Sequence, residues 1–137
     1  MKITYKNTSR INPGQLFELY KSVGWIEKKD IKDKGKSLSK KHQNSTVVIS
    51  AWSGKELVGA VLGLTDKIRN GAIFSLAVKK DFQSKGIGKE LVRRCVREYP
   101  EVKWYIGSLN KRADKLYKRA GFRKDTNTWF VKRGAKI

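Results

Sequence analysis

The sequence has little cysteine, little proline and few acidic residues, and these scarcities exclude several kinds of protein. Only one of its 137 residues is cysteine, Cys95, so no disulfide can form within the chain and a reducing, cytoplasmic setting is expected. One cysteine and one histidine, His42, are too few for a zinc site of the usual ligand count, so no metal is predicted. No apolar run approaches the roughly 20 residues that cross a bilayer, and the first residues lack the apolar stretch of a signal peptide.

Acidic residues are outnumbered by basic ones, 12 against 32, which gives a formal net charge of +20. Such a charge attracts phosphate-bearing or acidic partners. One interpretation is a surface for nucleic acid, a ribosome or an anionic substrate; the other is a solvated, lysine-rich surface around a phosphate cofactor site. The second is favoured, because the basic residues are spread along the chain and no nucleic-acid-binding module is recognisable.

The length and the hydrophobic pattern predict one mixed α/β domain over residues 1–137, with helices on the faces of a sheet. Strands are expected near residues 3–5 and over 46–53, 56–64, 72–78, 102–109 and 128–133. A first helix is expected from the N-cap Asn12 to Gly24, and a weak second one over about 33–43. An amphipathic helix follows residue 87, with Cys95 packed on its apolar face, and a short helix follows Asn110.

A glycine-bearing loop joins the apolar strand 72–78 to the amphipathic helix. It reads Gln83-Ser84-Lys85-Gly86-Ile87-Gly88. The first N–H groups of a helix lack intrahelical partners and can bind an anion, and glycines allow a close backbone approach. Residues 83–89 are therefore predicted to hold a pyrophosphate. A Walker-type site and a dinucleotide fingerprint both require glycine patterns that the sequence lacks.

Two segments together resemble the GNAT superfamily of N-acetyltransferases. The family's acetyl-CoA motif is matched by Leu76-Ala77-Val78 followed by residues 83–88. Its second signature, Asn-x-x-Ala-x-x-x-Tyr-x-x-x-Gly-Phe, is matched at every anchor over residues 110–122. The resemblance covers about residues 46–131. It implies a GNAT-like acyl-CoA N-acyltransferase fold, whose mostly antiparallel sheet has a β-bulge that splays the strand near 76–78 from the strand near 104–108.

The resemblance also implies an enzyme that transfers an acetyl group from acetyl-CoA to a primary amine, by direct attack in a ternary complex. Tyr117 stands where the family places the acid that protonates the departing CoA thiolate. The residues implied in cofactor binding are Leu76, Ala77, Val78, Gln83, Ser84, Lys85, Gly86, Ile87, Gly88, Lys89 and Asn110.

The resemblance does not identify a general base for the amine. Some family members carry a glutamate on the strand before the cofactor loop, but here no carboxylate lies between Asp66 and Asp81. Two routes stay open for the proton of the amine. It could leave through water to Ser75, Ser108 or a backbone carbonyl, or a carboxylate between the first two helices, Glu27 or Asp30, could accept it.

The acceptor and the partners are constrained mainly by charge. A positive field disfavours a lysine-rich tail and tolerates a small amine, neutral or bearing acidic groups. Trp25, after the first helix, could cover an apolar acceptor or simply pack in the core. The alternatives are a protein or ribosome-associated acetyltransferase and a basic RNA-binding module on the same fold. A monomer or homodimer without membrane contact is expected.

Overall fold

The computed structural model describes residues 2–125 and 130–134. Its helices and strands, in chain order, are β1 (Thr4–Asn7), α1 (Pro13–Ser22), α2 (Lys28–Asp33), α3 (Lys36–Gln43), β2 (Val47–Ser53), β3 (Glu56–Thr65), β4 (Asn70–Val78), α4 (Ile87–Arg97), β5 (Lys103–Ile106) and α5 (Lys111–Arg119). A single 3-10 turn, Lys80–Phe82, lies between β4 and α4.

The five strands form one sheet in the order β1-β2-β3-β4-β5. Every neighbouring pair is antiparallel except β4 and β5, which are parallel. A parallel pair needs a crossover connection, and here α4 supplies it. The structure confirms the mixed, mostly antiparallel sheet flanked by helices that the resemblance implies.

The sheet separates two apolar clusters, because side chains along a strand alternate between its faces. On one face α1 and α3 cover the sheet, and Leu16, Leu19 and Tyr20 are almost fully buried there. On the other face α4 packs through Leu91, Val92 and Cys95, each of which has no exposed surface. Cys95 is thus a packing residue, as predicted. Burial, followed by the nearby Glu98, raises the pKa of its thiol to about 12, which keeps it unreactive.

The segment between α1 and β2 differs from the prediction of one weak helix over about 33–43. It forms two helices, α2 and α3, because Lys34 and Gly35 both adopt left-handed backbone conformations, with φ of 57° and 85°. A Cβ on Gly35 would lie 2.4 Å from the carbonyl oxygen of Pro13, so only glycine lets this turn pack against the start of α1. Periodicity alone does not reveal such a break.

The C-terminal strands also differ from the prediction. The strand expected over 102–109 is limited to Lys103–Ile106, because its pairing with β4 ends at Ile106. Of the strand expected over 128–133, residues 128 and 129 lie outside the described residues. The described part, 130–133, forms no strand.

Candidate active site

The two central strands of the sheet separate part-way along their length. β4 pairs with β5 only from Asn70↔Lys103 to Ile73↔Ile106, although β4 continues to Val78. Within the described residues, the β5 side of residues 74–78 therefore has no strand partner. This open edge leads directly toward the loop that the sequence predicts to hold a pyrophosphate.

A β-bulge accompanies the separation. Between the pairs Ala60↔Ala77 and Leu62↔Phe74, β4 has one residue more than β3. Ser75 absorbs the extra residue with a φ of 57°, a left-handed conformation that costs a non-glycine residue about 1–3 kcal/mol. Past the bulge, Leu76 and Val78 pack against the same cluster as Ile73. The splayed, bulged sheet that the resemblance implies is confirmed.

The loop before α4 leaves the start of the helix open. Ser84 and Gly86 have positive φ values of 62° and 85°, and no side chain hydrogen-bonds as a cap at Gly86. Gly86 and Gly88 need to be glycine for different reasons. A Cβ on Gly86 would meet nothing within 4 Å, so its glycine serves the backbone conformation. A Cβ on Gly88 would lie 2.9 Å from Leu116 Cδ1, so that glycine allows α5 to pack closely on α4.

Two side chains fix the loop in place. Gln83 Nε2 donates to the carbonyl oxygen of Val78 at 2.8 Å. The Arg112 guanidinium donates to Gln83 Oε1 at 2.8 Å and to Ser84 Oγ at 2.9 Å. Arg112 therefore brings a fixed positive charge to the loop. Sequence analysis missed it, although it lies inside the second signature, because its role depends on a contact across 28 residues.

The helix α5 presents the residues of the second signature. Asn110 caps it, with Oδ1 accepting from the Ala113 N–H at 2.9 Å, as predicted for an N-cap. Tyr117 is half-buried, and its ring lies 6.3 Å from that of Phe122. Burial, followed by the Asp114 carboxylate, raises the pKa of the Tyr117 phenol above its usual value. Tyr117 is therefore protonated at neutral pH.

A polar cluster lies against the bulge on the α1 and α3 face. Tyr20 Oη and His42 Nε2 are 2.8 Å apart, and both residues are buried. Lys41 Nζ donates to Ser75 Oγ at 2.5 Å and lies 5.2 Å from the centre of the Tyr20 ring. Burial, followed by the Lys41 charge, lowers the pKa of His42 to about 4, so the imidazole is neutral.

Sequence reasoning did not bring this cluster together. It noted Ser75 as a stage on a proton path, but it gave His42 and Lys41 no part in the site. A buried histidine preceded by a lysine does not indicate a functional site by itself. The polar cluster is recognisable only when α3 is packed beside the bulge.

An open cavity of about 1000 Å³ lies along the sheet edge, lined in part by Leu64, Ala72 and Tyr105. Cβ atoms on Gly63 and Gly71 would meet Trp104 on the α4 face, so the alternating Leu64 and Ala72 face the opposite side. The cavity is thus on the face that carries α1 and α3.

Residues 14–122 match the family model described as the acetyltransferase (GNAT) family. The chain belongs to the GNAT family. It is 30% identical to the uncharacterized N-acetyltransferase ycf52 of Porphyra purpurea, over 87% of this chain and 69% of that protein. The match to the family model and the name that its relatives share show that it is a GNAT-family N-acetyltransferase. The family typically uses acetyl-CoA.

Solved GNAT structures share the fold. A GNAT family protein of Streptococcus pneumoniae matches with a TM-score of 0.80 at 21% identity, covering 97% of this chain and all of that one. An aminoglycoside acetyltransferase from a soil metagenome, solved with sisomicin, matches with a TM-score of 0.72 at 18% identity, covering 98% and 97%. At these identities the likeness shows the fold alone.

Both carboxylates considered as alternative bases have a partner, but Asp30 keeps one buried oxygen, Oδ1, without a hydrogen bond among the described residues. Asp30 is buried and accepts from the Glu27 N–H at 2.8 Å, as a cap of α2. The Glu27 side chain is exposed and lies 3.6 Å from Lys29 Nζ. The Ser108 hydroxyl contacts the Asp114 carboxylate. Ser75 is the bulge residue, and the Asp30 charge acts on Lys41, the residue that contacts Ser75.

No helix among the described residues is long and apolar enough to span a membrane. Over the same ranges, no cluster of three or more His, Cys, Asp or Glu side chains could hold a metal ion.

Proposed function

We propose that this chain transfers an acetyl group from acetyl-CoA to the neutral amine of a small acceptor, by direct attack on the thioester. The observation that carries the proposal is the open edge of β4. It begins where pairing with β5 stops at Ile73↔Ile106 and runs toward an uncapped helix start. A ligand with an extended, amide-bearing arm and a diphosphate has the chemistry that this arrangement fits.

The main chain of β4 would hold the pantetheine arm. Lys79 N–H donates to the Val58 carbonyl of β3 at 2.9 Å, and successive residues of a strand point their backbone groups in opposite directions. The groups of Ala77 therefore face β3, and those of Leu76 and Val78 face the open edge. The carbonyl of Val78 is occupied by Gln83, so the available groups are both groups of Leu76 and the Val78 N–H.

The loop and the start of α4 would hold the diphosphate. Backbone N–H groups of residues 84–89 are the candidate donors, and the helix N-terminus favours an anion by roughly 0.3–1 kcal/mol per charge. Both polar atoms of the Gln83 side chain already form hydrogen bonds, Nε2 to Val78 and Oε1 to Arg112. Gln83 would therefore shape the loop and not bind the diphosphate itself. Arg112 adds positive charge at the loop. Lys85 lies within the loop, and Lys89 lies just after it.

Tyr117 would act as the acid. As the acceptor nitrogen bonds to the carbonyl carbon, the carbon–sulfur bond breaks and the sulfur needs a proton. A phenol whose pKa is raised by burial keeps its proton until that step. Asn110 uses Oδ1 as a cap, so its Nδ2 group is the part available to a cofactor.

The acceptor would enter from the cavity beside β4. Its lining combines apolar side chains such as Leu64 and Ala72 with polar ones such as Asp66 and Asn70, which suits a small amine with an apolar portion. The Lys41 ammonium at Ser75 and the net charge of +20 disfavour a polycationic acceptor. The proton of the amine would leave through water near Ser75, which is the bulge residue itself.

The proposal is tested by measuring free thiol released from acetyl-CoA across a panel of neutral, acidic and polycationic amines. We expect turnover with a neutral or acidic amine and little with polyamines or basic peptides. Turnover confined to polycations would refute the substrate class. Absence of both turnover and acetyl-CoA binding would refute the activity, and tight RNA binding with a steep salt dependence would then favour the basic binding module.

A further inference from the structure

One lysine of this chain reaches the place where the proposed acceptor amine must stand. Lys41 projects from α3, and its Nζ lies 2.5 Å from Ser75 Oγ. Ser75 is the bulge residue, two positions past the last β4–β5 pair. The Lys41 nitrogen is therefore at the inner end of the open edge that Leu76 and Val78 continue toward the loop.

Lys41 is exposed, and the two groups that contact its nitrogen are uncharged. Lys41 forms no ion pair in the part of the chain that the structure describes, and its partners are a hydroxyl and the face of the Tyr20 ring. Burial lowers the pKa of its ammonium, against the opposing charges of Asp30 and Glu27 and with a smaller lowering from Lys29. The adjacent His42 is neutral.

We propose that Lys41 is an acetylation site of this chain, modified by the chain's own active site. The inference rests on the proposed function. The Lys41 ammonium first loses a proton to water, the neutral Nζ then attacks the thioester carbonyl carbon of acetyl-CoA, a nitrogen–carbon bond forms, and the carbon–sulfur bond breaks. The sulfur leaves as thiolate and is protonated, water takes the surplus proton from nitrogen, and the product is N-acetyl-lysine and CoA.

Position singles out Lys41 among the many lysines of the chain. Holding a nucleophile beside an electrophile turns a bimolecular reaction into an intramolecular one, which raises its rate by orders of magnitude. Lys40 is its matched control. It lies on the same helix and is exposed like Lys41, but it makes no contact with Ser75 among the described residues.

The test follows the label from isotopically labelled acetyl-CoA into each lysine of the full chain, after enzymatic deacetylation, by peptide mass spectrometry. We expect Lys41 to be labelled about tenfold faster than the median of the other lysines, as an intramolecular reaction requires. Its rate constant should not change when the protein is diluted. Lys41→Arg should abolish this fast phase and Lys40→Arg should preserve it.

Three results would overturn the inference: labelling of Lys41 at the median rate, a rate that falls on dilution, or equal labelling of the unfolded chain. Thiol release with a panel of free amines is measured in parallel. If free amines are acetylated while Lys41 is not, the inference fails alone and the proposed function stands. If neither occurs in a chain that binds no acetyl-CoA, both fail.

Discussion

Replacing Arg112 with Gln tests whether the loop is organised by a side chain that sequence analysis did not single out. The guanidinium donates to Gln83 Oε1 and to Ser84 Oγ at 2.8 and 2.9 Å. Gln83 in turn donates to Val78. Arg112 therefore connects α5, the loop and the end of β4, and its loss should loosen the loop before any ligand is bound.

The size of the effect follows from these two contacts. A hydrogen bond in a protein contributes about 0.5–1.5 kcal/mol net, and both are exposed, so the loss in binding should be about 1–2 kcal/mol. That corresponds to a Kd for acetyl-CoA raised roughly 5- to 30-fold. Because Arg112 does not contact the reacting atoms in this account, kcat at saturating acetyl-CoA should be nearly unchanged.

Calorimetric titration with acetyl-CoA measures this change directly. Lys111→Gln is the matched variant, since it removes the same charge from the neighbouring position of α5. Lys111 is exposed and makes no hydrogen bond to the loop within the described ranges. If both variants weaken binding equally, general electrostatic attraction explains the result and the organising role of Arg112 is refuted.

Three further predictions concern the acid, the buried histidine and the packing of β4. Tyr117→Phe should lower kcat about 10²-fold or more in the thiol-release assay and leave the Kd for acetyl-CoA unchanged; unchanged turnover would remove Tyr117 from the mechanism. The pKa of His42 is about 4 in the folded protein and about 6.5 in the unfolded chain. Below about pH 6.5 the unfolded chain binds a proton that the folded protein does not, so the free energy of unfolding falls as the pH drops toward 4. Urea unfolding at about pH 7 and pH 5 should therefore show a loss of about 2 kcal/mol that His42→Phe lacks, and equal losses in both proteins would contradict the assignment. Gly71→Ala places a Cβ 2.7 Å from the rigid Trp104 ring and should lower the free energy of unfolding by about 1–3 kcal/mol. Gly107→Ala should cost less, because a Cβ there meets no atom within 4 Å and the residue has no positive φ.

Local signals in the sequence predicted most of the helices and strands. Asn12 and Asn110 were expected as helix caps, and both side chains accept backbone N–H groups as expected. These features depend on residues that are neighbours in the chain. The break between α2 and α3 was missed, because the close approach of Gly35 to Pro13 is a contact between separate elements.

The sequence by itself determined the family, the order of the strands and helices around the loop, and the identity of the residues in its two signatures. Only the tertiary structure decided where β4 leaves β5, because the bulge at Ser75 is a matter of register between paired strands. It alone brought Lys41 and Tyr20 to that bulge, and Arg112 to the loop. Each of these contacts joins residues that are 28 or more positions apart, except for Tyr20 and Lys41, which are linked through adjacent helices. Local conformational preferences do not specify contacts between residues so far apart in the chain. These contacts form only when the helices pack on the sheet.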